Sequence, residues 1–554
     1  MNENKSETYV IIGGVAGGAT AAARIRRLKE KAEIILLEKG PYVSFANCGL
    51  PYFIGGDIKR RSNLLLQTPE GFFSRYRVDV RVHTEAVGID RVGKTVLVKT
   101  PQGESVVAYD KLILAQGGSP LIPPLPGVTL DHVFKLWTIP DMDRIHKFIE
   151  DKKPRRALVA GGGFIGLEMA EALKHRGLEV TLVELAPQVM ILMDQEFGAM
   201  VKSTLEEGGV TVKTGVGLSE IKENSVILSD GSTVETDMVL LSIGVRPELT
   251  LAKGAGLEIG TSGGLLVNDY LQTSDPYIYA AGDMIELVNK ISGRKVRIPL
   301  AGPANRQGRI VGSNVTGDKV PYRGALGTSV VKIFDHTAAG TGLSEKAARE
   351  AGFDVGVAYT FKDNHVSYYP GGTMISFKLV YDMKTSRILG AMAFGKADVE
   401  KRIDVVATAL HGKFSLEDLS ELDLAYAPPY NGANDPINMA SFVGMNHVSG
   451  YSPNLTPAQA LTEVQTGRAL ILDVRTMGEQ GKAPVAGVVH IPADEVRDRL
   501  EEIPRDKPLV ILSKDGFLGH TTLQTLKAEG WKDVKNITGG YYAAKWTSGW
   551  DFQV

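Results

Sequence analysis

The chain has 554 residues, 43% of them apolar, and a formal net charge of −2. This length predicts several domains, because a single core rarely grows past roughly 250 to 300 residues, and the balanced charge excludes a general nucleic-acid or membrane-surface binder. Since no stretch reaches the roughly 18 uncharged apolar residues of a membrane span and the start, MNENKSETYV, is not that of a signal peptide, we expect a cytoplasmic protein without nucleic-acid or membrane partners.

The first pattern from Thr8, TYVIIGGVAGGATAAARIRRLKEKAEIILLEKG, predicts a strand, a glycine turn, a helix and a second strand that ends at Glu38. This order is typical of half a dinucleotide-binding fold. Valine occupies the middle position of G-x-G-x-x-G, at Val15, so this motif alone is a weak signal.

The segment SFANCGLPY that follows holds Cys48, the only cysteine of the chain. A structural disulfide within the chain is therefore excluded. Sulfur chemistry at this position needs the thiolate, which makes up only about 3% of a thiol with a pKa of about 8.5 at pH 7. We expect Ser44 and Asn47 to help stabilise the thiolate.

A second pattern, RALVAGGGFIGLEMAEALKHRGLEVTLVE, meets the glycine spacing in full and ends its second strand at Glu184. Glycines at these positions let backbone N–H groups and a helix N-terminus approach a pyrophosphate, and the carboxylate accepts from ribose hydroxyls. Two such units in one chain indicate two bound dinucleotides much more strongly than either does alone.

Three further segments are KLILAQGGSP, IGVRPE and TSDPYIYAAGD. Together with the glycine motifs they resemble the flavin-dependent pyridine-nucleotide disulfide oxidoreductases, over roughly residues 8–445. The resemblance implies FAD on the first motif, NADH or NADPH on the second, Asp283 at the ribityl chain, Phe164 as an aromatic gate to the flavin, and no metal. The implied cofactor-binding residues are Gly13, Ala16, Gly17, Gly18, Glu38, Lys39, Ala115, Gly161, Gly163, Phe164, Gly166, Glu184, Gly244, Asp283 and Ala301.

The expected fold is α/β, with two Rossmann-like domains and an α+β dimerisation domain, followed by a C-terminal α/β domain in which Asp473-Val474-Arg475, GVVHIP and GGYYAAKW resemble a rhodanese. The predicted boundaries are 1–115 with 245–325 for FAD, 116–244 for NAD(P)H, 326–445 for dimerisation, 446–455 for a linker and 456–554 for the rhodanese-like domain.

The rhodanese-like part departs from its pattern at the loop that carries the catalytic cysteine. Ser513 stands in the place of that cysteine and Leu518 in the place of an arginine. A hydroxyl cannot hold sulfane sulfur at neutral pH, so we expect no sulfurtransferase activity. The domain then either docks a persulfide donor or another partner, or serves only as a structural appendage.

SFANCGLPY is similar to the motif of coenzyme A disulfide reductases, in which a single cysteine alternates between a thiolate and a mixed disulfide with coenzyme A. Relatives that reduce peroxide or dioxygen share the cysteine but keep a histidine at the place of Ala16. The resemblance implies catalytic roles for Cys48, Tyr368 and Tyr426, with both tyrosines reaching the partner subunit's cysteine. The implied residues for coenzyme A are Arg24, Arg27, Ser44, Asn47, Arg61 and Gln67, while Arg26 and Lys59 are expected on a solvated face.

The sequence therefore predicts a homodimeric FAD enzyme, with an active site shared between subunits, that uses NADH or NADPH to reduce coenzyme A disulfide through Cys48. Three alternatives stay open: reduction of coenzyme A persulfide or polysulfide at the same centre, an NADH peroxidase or oxidase that works through a Cys48 sulfenic acid, and a redox-sensing scaffold.

Overall fold

The computed structural model describes residues 7–552. They form two compact units, residues 7–187 with 206–327 and residues 188–205 with 328–552. None of the helices in residues 7–552 is long and apolar enough to cross a membrane.

The elements of the first third, in chain order, are β1 (Thr8–Ile12), α1 (Ala16–Leu28), β2 (Glu33–Leu37), α2 (Leu50–Gly55), α3 (Pro69–Tyr76), β3 (Asp79–Arg81), β4 (Glu85–Asp90), β5 (Thr95–Thr100), β6 (Gly103–Ala108), β7 (Lys111–Leu114), β8 (Gly118–Pro120), β9 (Val133–Lys135), α4 (Ile139–Lys152), β10 (Arg156–Ala160), α5 (Phe164–His175) and β11 (Glu179–Glu184). Short 3₁₀ turns lie at Asn47–Gly49 and Arg61–Leu64.

The elements that follow are α6 (Gln195–Glu207), β12 (Val210–Thr214), β13 (Leu218–Ile221), β14 (Ser225–Leu228), β15 (Thr233–Glu235), β16 (Met238–Leu241), β17 (Val245–Pro247), α7 (Thr250–Gly254), β18 (Ile278–Ala280), β19 (Leu287–Val288), β20 (Lys295–Val296) and α8 (Ala301–Asn314).

The remaining elements are β21 (Ser329–Ile333), β22 (His336–Gly342), α9 (Glu345–Glu350), β23 (Val355–Asp363), β24 (Met374–Asp382), β25 (Ile388–Gly395), α10 (Val399–Gly412), α11 (Leu416–Ser420), α12 (Pro436–Val448), β26 (Asn454–Leu455), α13 (Pro457–Gln465), β27 (Leu470–Asp473), α14 (Met477–Lys482), β28 (Val489–His490), β29 (Leu509–Leu512), α15 (Phe517–Ala528), β30 (Val534–Ile537) and α16 (Gly540–Ala544), with 3₁₀ turns at Ala493–Asp498 and Leu500–Glu502.

Two parallel sheets organise the first unit, in the orders β18-β7-β1-β2-β3 and β12-β11-β10-β16-β9. Their central strands are almost wholly buried and apolar, as expected for parallel strands covered on both faces. β1 lies between β7 and β2, and β10 lies between β16 and β11, so each glycine turn opens at the carboxyl end of a central strand, where such folds bind ligands. The predicted pair of Rossmann-like domains is confirmed.

The basic helix α1 contains one residue that the sequence analysis misplaced. Arg26 is buried, and its guanidinium donates to the backbone carbonyls of Tyr76 at 2.6 Å, Ala32 at 2.8 Å and Arg77 at 2.9 Å. The expectation that Arg26 belongs to a solvated face is therefore wrong. The sequence of α1 alone does not show that Arg26 will donate to carbonyl oxygens of Tyr76 and Arg77, about fifty residues along the chain.

The second unit contains an antiparallel sheet in the order β21-β22-β25-β24-β23. Lys378 on β24 is fully buried, and its ammonium pairs with Asp194 at 2.8 Å, Glu196 at 2.7 Å and Glu345 at 2.9 Å. Tyr359 on β23 also donates to Glu196, at 2.5 Å. Three carboxylates and two hydrogen-bond donors thus compensate one another, which a buried charge requires.

The rhodanese-like part has a parallel sheet in the order β26-β30-β29-β27-β28, and it packs on the edge strand β23. The Tyr359 N–H donates to Thr538 Oγ1 at 3.1 Å, and the rings of Phe361 and Tyr542 lie 5.5 Å apart. α12 runs to Val448 and β26 begins at Asn454, so a connection of residues 449–453 stands where the sequence predicts a linker of residues 446–455.

Candidate active site

The first glycine turn is built by a close approach of three backbone segments. The Gly13 N–H donates to Leu37 O at 2.9 Å, and Gly13 has a φ of +100° with its added Cβ only 2.4 Å from Ala115 O. A Cβ at Gly18 would lie 1.8 Å from Gly13 O. The Glu38 carboxylate closes the turn by accepting from the N–H groups of Gly14 at 2.9 Å and Gly40 at 2.8 Å.

The second turn repeats this geometry. The Gly161 N–H donates to Val183 O at 2.8 Å, its φ is +108°, and a Cβ there would lie 2.3 Å from Ser242 O. A Cβ at Gly166 would again lie 1.8 Å from the first glycine's carbonyl oxygen. Glu184 accepts from the N–H groups of Gly162 at 2.6 Å and Ala186 at 2.7 Å, as Glu38 does in the first turn.

The repeat explains why Val15 is tolerated at the position where the second motif has Gly163. Both residues are the N-caps of their helices and both have negative φ, −98° for Val15 and −88° for Gly163. A Cβ at Gly163 would meet nothing within 4 Å. The middle glycine is therefore not required by the local backbone, and the departure at Val15 leaves the turn intact.

The remaining residues predicted to bind cofactor lie around these two turns. Three of them begin helices: Ala16 begins α1, Phe164 begins α5 and Ala301 begins α8. Two lie at strand ends, since Ala115 follows β7 and Gly244 precedes β17. A Cβ added to Gly17 would lie 3.4 Å from the Cβ of Ala281, and the exposed Lys39 follows Glu38.

The polar groups beside the first turn fit FAD. Asp283 follows the turn after β18, and burial raises the pKa of its carboxyl to about 6. Among the described residues, the buried Oε1 of Gln116 and Oδ1 of Asn47 have no hydrogen-bond partner. Hydroxyl and N–H donors on a ligand would satisfy these acceptors, which otherwise carry a desolvation penalty.

Cys48 lies in the 3₁₀ turn that precedes α2 and is exposed on one side. Protein atoms packed around its other sides raise the pKa of the thiol, and the carboxylates of Glu168 and Asp283 raise it further. Glu168 belongs to the helix that leaves the second glycine turn and Asp283 follows β18 of the first sheet. Cys48 therefore lies where the two nucleotide-binding domains meet.

Ser44 and Asn47 do not assist the thiol as expected. Ser44 adopts a φ of 47°, its N–H donates to Gly14 O at 2.8 Å, and its carbonyl accepts from Leu66 N–H at 3.1 Å. Asn47 Nδ2 donates to Trp137 O at 3.3 Å. Neither side chain donates to Cys48 Sγ within residues 7–552, so both residues shape the loop rather than stabilise the thiolate.

The basic residues predicted for coenzyme A differ in their availability. Arg24 Nε donates to Ser313 Oγ of α8 at 2.9 Å, and Arg27 is exposed at the end of α1. Arg61 instead forms a two-point ion pair with Asp143, at 2.7 Å for both bonds, and donates to Tyr42 at 2.8 Å. Gln67 lies half-buried before α3. Arg24 and Arg27 are thus better placed than Arg61 to meet a phosphate.

In the second unit the two predicted tyrosines meet. The hydroxyls of Tyr368 and Tyr426 lie 3.1 Å apart on exposed loops, and this hydrogen bond raises the pKa of Tyr368. Two phenols side by side can bind or protonate a departing thiolate. The neighbouring His365 is buried and hydrogen-bonded to Val366 O at 3.1 Å.

Arg402 holds the bases of both tyrosine loops. Its fully buried guanidinium donates to Asn364 O at 2.9 Å and to Asn431 Oδ1 at 3.1 Å. Its Nε donates to Asp435, the N-cap of α12, at 3.1 Å. One buried cation therefore ties the loop of Tyr368 to the loop of Tyr426.

The loop at Ser513 is closed upon itself. Ser513 is fully buried, and its Oγ accepts from the Gly516 N–H at 3.0 Å. Lys514 pairs with Glu479 at 3.1 Å. The motif Asp473-Val474-Arg475 supplies a buried ion pair, 2.7 Å from Asp473 Oδ2 to Arg475 Nη2, and so serves packing rather than sulfur chemistry.

Comparison with known families gives three matches. Residues 7–308 match the description "Pyridine nucleotide-disulphide oxidoreductase", residues 328–435 match its dimerisation domain, and residues 456–546 match "Rhodanese-like domain". The chain belongs to the pyridine nucleotide-disulphide oxidoreductase family. It is an oxidoreductase, and the predicted family and fold class are confirmed.

Similar proteins include two that match this oxidoreductase along nearly its whole length. The reduced CoADR-RHD of Bacillus anthracis is 43% identical, with 98% of this chain and 99% of that chain covered and a TM-score of 0.95. The NAD-dependent persulfide reductase from A. fulgidus is 36% identical, with 97% and 99% covered and a TM-score of 0.90. The coenzyme A disulfide reductase of Staphylococcus haemolyticus is 34% identical over 437 residues, 78% of this chain and 98% of its own.

Sequence reasoning missed one group beside the thiol of this oxidoreductase. Tyr52 Oη donates to Glu168 Oε1 at 3.1 Å, across 116 residues of sequence. The glycine motif that contains Glu168 directs attention to its glycines, and a glutamate in a buried helix suggests an ordinary ion pair. Burial raises the pKa of Glu168 to about 7, which marks it as a group that changes charge near neutral pH.

Glu184 allows a prediction about cofactor choice. A carboxylate about 4 Å from a phosphate charge opposes it by about 4 kcal/mol at an effective dielectric near 20, before nearby cations are counted. We therefore expect a higher kcat/KM for NADH than for NADPH, and a smaller ratio in Glu184→Ala. Glu179→Gln, at the other end of β11, is the control and should keep the ratio. An unaltered enzyme that prefers NADPH would contradict the prediction.

Proposed function

We propose that this oxidoreductase is a homodimer that binds FAD, oxidises NADH or NADPH and reduces the disulfide of coenzyme A at Cys48. The observation that carries the proposal is the position of the only cysteine: an exposed thiol beside Glu168 of one nucleotide-binding domain and Asp283 of the other. The named activities of the relatives from S. haemolyticus and B. anthracis support this substrate class.

The residues around the two glycine turns would bind the cofactors. The backbone turns at Gly13 and Gly161 would hold the two dinucleotides, and Asp283 and Gln116 would accept hydrogen bonds from FAD. When bound, FAD supplies two-electron transfer between a nicotinamide and sulfur. Phe164, at the start of α5, would control access of the nicotinamide to the flavin.

Cys48 carries out the sulfur chemistry. Its thiolate attacks one sulfur of coenzyme A disulfide, so that a Cys48–coenzyme A disulfide forms, the substrate's S–S bond breaks and one coenzyme A thiolate leaves with a proton from its surroundings. The two electrons of NAD(P)H then break the mixed disulfide, and the second coenzyme A leaves as a thiol. The balance is one disulfide, one NAD(P)H and one proton in, and two thiols and one NAD(P)⁺ out.

Tyr368 and Tyr426 serve the departing thiolate in this scheme. Their hydroxyls lie 3.1 Å apart and open to solvent, so one phenol can donate to sulfur while the other supports it. The loops that carry them belong to the dimerisation domain, and we assign their target as the thiol of the partner subunit. Arg24 and Arg27 on α1 hold the phosphates of coenzyme A.

A second candidate is reduction of coenzyme A persulfide at the same centre. The Cys48 thiolate would take the outer sulfur, release coenzyme A as a thiol and, on reduction by NAD(P)H, release hydrosulfide. The observation that favours it is the rhodanese-like domain packed on β23, together with the named activity of the A. fulgidus relative. On this reading the domain docks a donor of sulfane sulfur.

The test compares substrates in one assay. NADH oxidation is followed with coenzyme A disulfide, coenzyme A persulfide, hydrogen peroxide and dioxygen at matched concentrations. We expect the highest kcat/KM with a coenzyme A substrate, and the ratio between disulfide and persulfide assigns the better one. Faster turnover of peroxide or dioxygen than of both coenzyme A substrates would reject the proposal.

Removal of residues 456–554 tests the place of the rhodanese-like domain. Cys48, both glycine turns and the tyrosine pair lie upstream, so turnover of coenzyme A disulfide should stay near that of the full chain. The truncation uncovers the buried Tyr359 and Phe361, so thermal unfolding should begin several °C lower. Tyr542→Ala, which removes only the ring beside Phe361, should give a smaller shift in the same direction. Loss of turnover in a folded truncated protein would contradict this assignment.

A further inference from the structure

A hydrogen bond between Tyr52 and Glu168 places a second acidic group, the carboxyl of Glu168, next to the segment of the active-site thiol. Tyr52 lies on α2, directly after the turn of Cys48, and its hydroxyl donates to Glu168 Oε1 of α5 at 3.1 Å. The two helices are in close contact, since a Cβ at Gly55 would lie 3.1 Å from Ala172 Cα. Backbone packing therefore fixes the carboxyl of Glu168 beside the segment that carries the thiol.

The charges around Glu168 are mostly acidic. Burial is the main cause that raises the pKa of Glu168, the carboxylate of Glu171 raises it further, and the hydrogen bond from Tyr52 lowers it. Glu171, one turn along α5, lies 4.0 Å from His175 Nε2. Glu168 in turn raises the pKa of both Cys48 and Tyr52.

The other charged groups on the packed elements face elsewhere. Arg176, at the end of α5, donates to Ile54 O at the far end of α2 and pairs with Glu150. From α4, His146 packs against Phe53, with the ring centroids 5.3 Å apart. Asp283 acts on Cys48 from the first sheet. Within residues 7–552, the structure places no cation on Glu168, so among these groups only the hydrogen bond from Tyr52 opposes its uptake of a proton.

We propose that Cys48 and Glu168 titrate as a pair that holds one negative charge near neutral pH, and that the thiolate forms when Glu168 takes up the proton. Two acids that act on each other at short range resist a second negative charge, and the carboxylate of Glu168 acts on the thiol of Cys48 in this way. Moving the proton from Sγ to the carboxylate keeps the charge constant, whereas losing it to solvent would place two anions together.

The pair also supplies a proton to the reaction proposed above, on which this inference rests for the identity of the reacting thiol. When the Cys48 thiolate attacks a disulfide, the negative charge leaves the pair with the departing thiolate. Glu168 then ionises, and its proton balances that thiolate. Thiolate, protonated Glu168 and disulfide thus become mixed disulfide, ionised Glu168 and one free thiol, with no change in total charge.

The experiment measures the rate of Cys48 alkylation by iodoacetamide against pH in the oxidised FAD-bound enzyme, with the product identified by mass spectrometry. The readout needs neither NAD(P)H nor a coenzyme A substrate. A protein that alkylates as predicted but does not turn over coenzyme A disulfide would contradict the proposed function alone. For the unaltered enzyme we expect two steps in the profile, because a coupled pair loses its protons in two macroscopic steps.

Glu168→Gln keeps the acceptor for Tyr52 but cannot ionise. Its profile should show one step, with a midpoint about one pH unit or more below the upper step of the unaltered enzyme, since a like charge has been removed. Glu171→Gln, also buried on α5, is the matched control and should keep two steps. Profiles of the unaltered enzyme and Glu168→Gln with the same number of steps and the same midpoints would overturn the proposal.

Tyr52→Phe gives an independent test if Glu168→Gln does not fold or bind FAD. Loss of the phenol hydroxyl removes the hydrogen bond that favours ionised Glu168, so the lower step should move to higher pH while two steps remain. A lower step that does not move would also overturn the proposal, because Tyr52 is the only described residue that donates a hydrogen bond to Glu168.

Discussion

Cys48→Ser should reduce turnover of coenzyme A disulfide and persulfide to below roughly one thousandth of the unaltered rate, because a serine hydroxyl is not ionised at neutral pH and cannot attack sulfur. The chain has no second cysteine that could take over. The protein should still fold and bind FAD, since the side chains around the first glycine turn make no use of the thiol. The measurement is NADH oxidation with each coenzyme A substrate.

The control for this variant is the half-reaction that precedes sulfur chemistry. Bleaching of the flavin absorbance by NADH without oxygen should proceed in Cys48→Ser, because the NADH site that we propose at the second glycine turn does not use the thiol. A variant that bleaches normally and does not turn over places the defect at sulfur. Substantial coenzyme A disulfide reduction by Cys48→Ser would reject the mechanism.

The glycine turns could be predicted because their constraint is local. A Cβ at Gly18 or Gly166 would collide with the carbonyl of the first glycine in the same turn, so the spacing alone carries the geometry. The same holds for Glu38, which follows β2, and for Glu184, which ends β11, because the carboxylate of each reaches back to its turn. Val15 shows the limit of the pattern, because a negative φ at that position removes the need for glycine.

The surroundings of Cys48 could not be predicted in the same way. The motif suggested neighbours in sequence, Ser44 and Asn47, as the groups that act on the thiol. The groups that do act on its pKa are Glu168 and Asp283, which arrive through the packing of α2 against α5 and through β18. A contact between residues more than one hundred positions apart depends on tertiary structure, and one sequence holds no record of it.

Buried cations show the same limit. Arg402 and Lys378 are both fully buried, although most cationic side chains of soluble proteins are exposed. The partners of Arg402 come from other segments of the chain, namely Asn364, Asn431 and Asp435. The tyrosine pair was predicted from its motifs, but the cation that ties its two loops together was not.

The unaltered chain should show no thiosulfate:cyanide sulfurtransferase activity. The buried hydroxyl of Ser513 already accepts a hydrogen bond from the Gly516 N–H at 3.0 Å. That N–H is therefore engaged, and a serine hydroxyl is not a nucleophile for sulfane sulfur. Leu518 offers no cation for the anionic substrate, and the nearby Lys514 is paired with Glu479 at 3.1 Å. The measurement is thiocyanate formation from thiosulfate and cyanide.

Ser513→Cys should recover little of this activity, because a thiolate there gains from the N-terminus of α15 but still lacks the missing cation. Ser513→Cys combined with Leu518→Arg should recover more than either change alone, since the second substitution supplies that charge. Cys48→Ser serves as the background in which any sulfur transfer by the unaltered loop is measured. Transfer that persists in that background would contradict the assignment of an inactive loop, whereas transfer that disappears with Cys48 would show that the reductase thiol carries the sulfur.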